Sequence, residues 1–390
     1  MILLWVALAL QSPGDSISLN QALDRARHAR GSVTAAAAGV AEARSALRVA
    51  GAITNPTVSY SHSEATPRNH LLVDQPLDWL FRRGSDRAAA RAGVDRALAD
   101  SSLAVAGLLR DVRAAFYRAR ASRLAESLVL AQAALADSVA RLAGARLRAG
   151  DISLLEQEQA AQEAARARQT AAGAREAARV DEAELARAIA WDGAPPVPSG
   201  ALDAGVDHLP DSTIDVAALP AVRTAAADSA AAAALARAAA RARVPLPTLQ
   251  SGAEWGDESQ PGTLGIIGIA IPFPLWSLGG GTAAEARARA ARASALTREA
   301  RLDAVRQMRL ARIHLEETAA RARFDRDSIV PGAATLRGRA LRAYQAGETG
   351  IFPVLDALRG ERDASLAALQ DQLAFQEALA DWYALTGYAE

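Results

Sequence analysis

Thr248-Leu249-Gln250-Ser251-Gly252-Ala253-Glu254-Trp255 leaves Pro247 with larger apolar and polar side chains in alternation. After a loop over 256–262, Leu264-Gly265-Ile266-Ile267-Gly268-Ile269-Ala270-Ile271 returns and stops at Pro272. Two runs of this length around a Gly-bearing loop predict a β-hairpin. A period of two places Ile267, Ile269 and Ile271 on one face, and Gly268 and Ala270 on the other. In the first run, Leu249, Ala253 and Trp255 oppose Gln250 and Glu254. That division suits a transmembrane barrel and a half-buried soluble sheet equally well.

Outward from this hairpin the chain is helical. A helix is predicted from about Pro220 to Arg243. Another follows the Gly279-Gly280-Gly281 cluster, from Thr282 to about Ile329. Pro331 should kink it before it resumes toward Gly347, and a last helix should end at Gly387. The first half of the chain repeats the plan. Ser18 and Gln21 form a capping-box pair that opens one helix over Ser18–Ala50. Asn55-Pro56 stops it, and strands over 57–62 and 71–77 form a second hairpin. A helix then starts near Gly84, with Val105, Leu109, Val112, Phe116, Leu128, Leu135, Val139 and Leu142 on a heptad-like stripe. To Arg148 it would be roughly 97 Å long at about 1.5 Å per residue. Gly150-Asp151 breaks it, and a further helix returns to Trp191.

The halves match by position. Pro56-Thr57 and Pro247-Thr248 stand 191 residues apart, and Gln75-Pro76-Leu77 and Ile271-Pro272-Phe273 stand 196 apart. Arg148-Ala149-Gly150-Asp151 and Gln345-Ala346-Gly347-Glu348 stand 197 apart. The expected organisation is a signal peptide over 1–16, a first repeat over 17–198, a connector over 199–219 and a second repeat over 220–390. The fold class is mainly α with a small β part: long coiled-coil helices plus two β-hairpins per chain. Four strands cannot close a barrel, and open edges are not tolerated in lipid. Three copies would supply about twelve, an even number as bacterial barrels require.

Composition narrows the function. The chain has 390 residues with 44 basic against 44 acidic side chains, a balance unlike a nucleic-acid protein. It has no Cys, which removes disulfides, thiolate metal sites and Cys nucleophiles. Met1–Leu10 is an apolar run that reads as a secretory h-region. No later stretch has about 18 unbroken apolar residues, so a membrane crossing would fall to the strands. His28, His62, His70, His208 and His314 are scattered without ligand spacing. The Gly279-Gly280-Gly281 cluster lacks the Lys and Ser/Thr of a phosphate loop, and no G-x-S-x-G occurs. No metal, cofactor or catalytic set is expected, and the chain reads as a non-enzyme.

Over nearly its whole length the sequence resembles the outer-membrane efflux proteins of the TolC type. The resemblance rests on Leu19-Asn20-Gln21-Ala22-Leu23, on Asn55-Pro56, and on Gly268-Ile269-Ala270-Ile271-Pro272-Phe273-Pro274-Leu275. Its most specific part is Tyr344-Gln345-Ala346-Gly347-Glu348 with Val354-Leu355-Asp356-Ala357. The pattern looks closest to the subgroup paired with heavy-metal efflux pumps. The resemblance implies a homotrimer with a shared 12-stranded β-barrel in outer-membrane lipid and an α-barrel across the periplasm. It implies a passive channel in a tripartite efflux or type I secretion system. Gly150, Asp151, Gly347 and Glu348 would form tips that meet a periplasmic adaptor protein and an inner-membrane pump. Asp356, Glu156, Tyr344 and Thr349 fall at pore and gate positions. Pro353 departs from the family's second acidic ring, and Thr349 stands where an Arg could have locked Glu156. The tip is therefore expected to close weakly, or through Ile351 and Phe352. A coiled-coil scaffold of the cell envelope is the alternative.

Overall fold

The computed structural model describes residues 16–211, 213–274 and 279–388. The expected signal peptide, but for Ser16, lies outside the described residues, as does Leu275. The chain divides into two compact units. One holds residues up to Val33, Val105–Ile214 and Arg306 onward; the other holds Thr34–Ala104 and Asp215–Val305. Each unit therefore draws on both halves of the sequence.

The second unit contains the sheet. β2 (Thr57–His62), β3 (Asn69–Pro76), β5 (Thr248–Trp255) and β6 (Thr263–Ala270) form one antiparallel sheet in the order β2-β3-β5-β6. The two predicted hairpins are joined through β3 and β5, where Leu71 faces Ala253 and Val73 faces Ser251. The register sorts the side chains across all four strands. Val58, Tyr60, Leu71, Val73, Leu249, Ala253, Trp255, Ile267 and Ile269 fall on one face. Ser59, Ser61, His70, Asp74, Gln250, Glu254 and Gly268 fall on the other, with Leu72, Leu264 and Ile266 among them, while Asn69, Gln75 and Ser251 lie on the first. On this polar face His70 Nδ1 meets Glu254 Oε1 at 2.8 Å, and Gln250 Nε2 donates to Asp74 Oδ1 at 3.0 Å. On the apolar face Ile267 is 82% exposed, while Leu71, Val73, Leu249 and Trp255 on the central strands are half-buried. Among the described residues β2 and β6 are each paired on one side only. Three helices flank the sheet in sequence: α2 (Gly31–Gly51), the short α3 (Asp78–Phe81) and α6 (Pro220–Arg241).

The first unit is a helical assembly. α1 (Leu19–Ala29) opens with the predicted box, Ser18 and Gln21 each capping the other's backbone N–H. It is buried through Ala22, Leu23 and Ala26 against Leu109, Val112 and Phe116 of α4 (Arg83–Ala149) and Leu185 of α5 (Leu154–Ala188). The single helix expected over Ser18–Ala50 is in fact two. Arg30 takes an extended backbone (φ −79°, ψ 124°) between α1 and α2. Its guanidinium donates to Arg187 O at 3.2 Å, as Arg25 donates to Ala190 O at 3.0 Å. Two arginines thus add side-chain bonds to carbonyls at and just past the end of α5, where the chain turns between α1 and α2. Two short strands lie in this unit: β4 (Val197–Pro198) pairs in parallel with β1 (Ser16–Ile17), and Ser199 N–H donates to Ile17 O at 2.9 Å.

α4 is one 67-residue helix, as its stripe predicts. One window of it is long and apolar enough to cross a bilayer by composition, with mean hydropathy 1.3. The helix as a whole is far longer than the roughly 20 residues a span needs, and it carries Arg and Asp along much of its length. α4 and α5 pack through small residues, Ala133 and Ala136 against Ala164, Ala167 and Ala171. Between them Arg123 bridges two buried carboxylates, Glu126 at 2.8 Å and Glu182 at 2.7 Å. Burial pushes the Glu182 carboxyl up, and Arg123 opposes that shift. α7 (Gly280–Phe324) leads through one π-helical turn, Asp325–Ile329, into α8 (Val330–Gln345), and α9 (Phe352–Thr386) closes the chain. Gly387 ends α9 with φ +74°.

The β3–β5 joint makes a sharp demand on Gly252. A Cβ there would stand 2.4 Å from Leu71 O, whereas one at Gly265 would meet nothing within 4 Å. Gly252→Ala should destabilise the chain by about 2 kcal/mol or more through forced overpacking. Gly265→Ala should stay within about 0.5 kcal/mol of wild type. Denaturant unfolding in detergent, followed by circular dichroism, checks both.

Candidate functional site

The two helical turns of the first unit are built alike. At the end of α4, Gly150 has φ +81°, its N–H donates to Leu147 O at 3.0 Å, and the Asp151 N–H donates to Arg146 O at 2.9 Å. At the end of α8, Gly347 has φ +76°, its N–H donates to Tyr344 O at 3.1 Å, and the Glu348 N–H donates to Ala343 O at 2.9 Å. Each is a complete Schellman motif, which closes the last helical carbonyls and needs a left-handed residue at its centre. Asp151 and Glu348 occupy the same place in the two motifs and supply backbone rather than side chain.

Under the turns lies a small apolar core. Tyr344 and Ile351 are fully buried in it, with Val139 and Ala143 of α4, Ala160 of α5, and Val354, Leu355 and Leu358 of α9. Ile351 therefore packs within its own protomer and is not free to plug an opening. Phe352 is the exposed member of that pair. Arg146 ties the hairpins together: it donates to Tyr344 O at 2.8 Å, and its guanidinium lies over the Tyr344 ring, 4.8 Å from the centroid. Burial pushes the Tyr344 phenol up.

Glu156 has a structural task in this arrangement. It accepts from the Ser153 N–H at 3.0 Å while the Ser153 hydroxyl accepts from its own N–H at 3.3 Å, a reciprocal box that starts α5. The Ser153 backbone bond is the main reason its carboxyl sits below the usual range, with the Ile351 N–H and the Arg146 charge adding to it. Thr349 turns inward and donates to Gly350 O at 3.0 Å. Asp356 stands apart from this cluster and is exposed. It borders a hollow of about 590 Å³ with Gln159, Gln162, Arg166, Phe352 and Arg359.

Two residues were not singled out by the sequence reading. Arg146 lies in the last turn of α4, where a basic residue is ordinary helix-dipole chemistry. Glu163 is buried in α5 and takes Arg359 at 2.6 Å and Arg362 at 3.8 Å. In Gln157-Glu158-Gln159-Ala160-Ala161-Gln162-Glu163 nothing distinguishes it from its solvated neighbours.

Neither a family model nor a curated protein matches the chain. Solved structures do. The chain is similar to the open-state MtrE outer membrane channel of Neisseria gonorrhoeae, with TM-score 0.77, 20% identity, and 95% of this chain and 88% of that one covered. The fold is that of an outer-membrane channel. A membrane protein from Pseudomonas aeruginosa matches at TM-score 0.77 and 17% identity, over 94% of this chain and 93% of that one. The outer membrane protein VceC of Vibrio cholerae matches at 0.75 and 18%, over 95% and 96%. For one chain, the outer-membrane channel fold is the architecture implied by the TolC-type resemblance. Its sheet also removes the purely helical scaffold as a description of the chain.

A carboxylate with a depressed folded pKa lends stability that is present above its unfolded value and is lost as pH falls through the folded one. Glu156 is such a group. Wild type should therefore melt about 1 °C higher than Glu156→Gln near neutral pH. That difference should vanish as the pH is lowered below the ordinary carboxylate range, as read by thermal melts across a pH series.

Proposed function

We propose that this chain is one protomer of a homotrimeric outer-membrane channel, a passive duct in a tripartite efflux or type I secretion system. The observation that carries this reading is the sheet: one face mostly apolar, the other holding His70, Asp74, Gln250 and Glu254, and an edge strand at each end paired on one side only. Lipid would take the Ile267 and Ile269 face, and water in the lumen would take His70, Asp74, Gln250 and Glu254. β2 of one copy would pair with β6 of the next, and three copies would close about twelve strands. The helices support the same assembly. Leu302, Leu310 and Ile313 of α7 and Leu336 of α8 are exposed in the single chain, as residues waiting for a neighbouring copy would be. The fold likeness to known outer-membrane channels agrees with this placement.

In this reading the Gly150-Asp151 and Gly347-Glu348 turns form the periplasmic end and receive an adaptor protein that belongs to an inner-membrane pump. The matched turn geometry favours it, because both present a compact, rigid surface. Asp356 would face the pore, and three copies would make a ring of negative charge that attracts and holds cations. Tyr344, Glu156 and Thr349 would act on the opening indirectly, by fixing the shape of the tip. Energy and substrate choice would come from the pump.

The test is conductance in a planar bilayer. Wild type should insert as discrete, voltage-tolerant steps. Asp356→Ala should raise single-channel conductance or weaken block by multivalent cations by about threefold or more. Unchanged conductance and unchanged block would contradict the acidic ring, and absence of any steps would contradict the channel.

A further inference from the structure

The helix that follows β6 does not run evenly toward Gly347. At Asp325 α7 gives way to one π-helical turn, and α-helical geometry resumes with α8 at Val330, whose N–H closes onto Asp325 O. Pro331 accounts for the position. It has no N–H to offer, and its ring would crowd a carbonyl of the preceding turn. A π-turn relieves that conflict by holding one surplus residue, and so marks a place where a helix can change pitch.

Two sets of contacts hold this turn. On one side Arg326 forks onto Asp207, with both nitrogens at 3.0 Å, and also reaches Asp327 at 2.9 Å. On the other side Asp325 meets α9. Its Oδ2 is buried, and no N–H or O–H of the protein reaches it. The neighbouring carboxyl that acts on it is that of Asp371, which raises its pKa. Arg321, one turn earlier on α7, donates from Nε to Asp371 Oδ1 at 3.0 Å. That guanidinium is bonded to Asp371 and reaches Asp325 only through its charge. Ionised carboxylates only accept hydrogen bonds, so two that face each other repel unless a proton lies between them.

We propose that Asp325 and Asp371 form a proton-sensitive latch that holds the π-turn against α9. One shared proton closes it; loss of that proton sets two like charges face to face and frees α7 and α8 to adjust their pitch. Burial first, then the Asp371 carboxyl, raises the Asp325 pKa, and Arg321 works against them. The sign follows. A carboxyl whose pKa is raised in the closed arrangement favours that arrangement while protonated, and the preference fades as pH rises through the raised value. Asp371 and Arg321 are the charged groups that face Asp325. Asp207, Arg323, Arg326, Asp327 and His208 flank the anchor on the other side. Arg326 holds the Asp207 carboxyl low, so the anchor stays ionised while the latch titrates. The latch lies within one chain and does not depend on the channel reading.

Hydrogen exchange of the full chain in detergent, read by mass spectrometry over residues 325–330, tests it. After correction for intrinsic chemistry, wild type should open at least about threefold more at about pH 7.5 than at about pH 4. Asp325→Asn stays neutral at both and can donate to Asp371, so its ratio should be flat. This comparison also removes any contribution from His208. Asp371→Asn should behave alike and serves if Asp325→Asn does not fold. A wild-type ratio equal to that of the Asn variants, or protection that grows as pH rises, would overturn the latch.

Discussion

A row of backbone N–H and C=O groups along a strand edge has to be paired wherever water is absent, and this chain carries two such rows, along β2 and β6. Most of the architecture follows from that constraint. The four strands come from the two halves of the sequence, and each hairpin alone would leave both of its own edges open. Joining β3 to β5 removes two edges and leaves two, which in the proposed assembly other copies of the chain would close. The register makes closure useful. Because side chains alternate, the same antiparallel alignment that places Ile267 and Ile269 outward places His70, Asp74, Gln250 and Glu254 on the opposite face. Gly252 shows how tight the joint is, with the Leu71 carbonyl occupying the space a side chain would need.

The helical part solves a different problem with the same economy of side chains. Ala-rich faces let α4 and α5 approach closely, but small residues bury little apolar area each. Arginine supplies the specificity that Ala cannot. Arg123 fixes α4 on α5 through Glu182, Arg25 and Arg30 bond carbonyls at the end of α5, Arg146 binds one turn to the other, and Arg359 holds buried Glu163. A planar, always charged donor fork suits each of these places, where a backbone carbonyl or a carboxylate must be met at a set angle. The two Schellman turns then rest over one apolar core, with Glu156 spent on starting α5.

Much of this was legible in the residues. Strand β5 falls on the residues its alternation marks, and β6 differs by a single position, because Pro247, Pro272 and the glycines bound them. The Ser18–Gln21 box and the turns at Gly150 and Gly347 were readable for a similar reason: each is a local rule that a few neighbouring residues satisfy. The parts that escaped are long-range. Arg30 breaks a helix to reach a carbonyl 157 residues away, and Val197 finds Ile17's neighbour across a comparable distance. Glu163 is buried only because two arginines from α9 cover it. Pro331 announced a kink, but its resolution as a π-turn depends on what Asp325 and Arg326 meet.

The central claim is that free edges on β2 and β6 are completed by two further copies. The direct measurement is the mass of the protein extracted from outer membranes in mild detergent, with and without chemical crosslinking. The account predicts a detergent-dependent particle of three chains, with crosslinked species stopping at the trimer. A monomer, or a dimer that stays in solution without detergent, would contradict it.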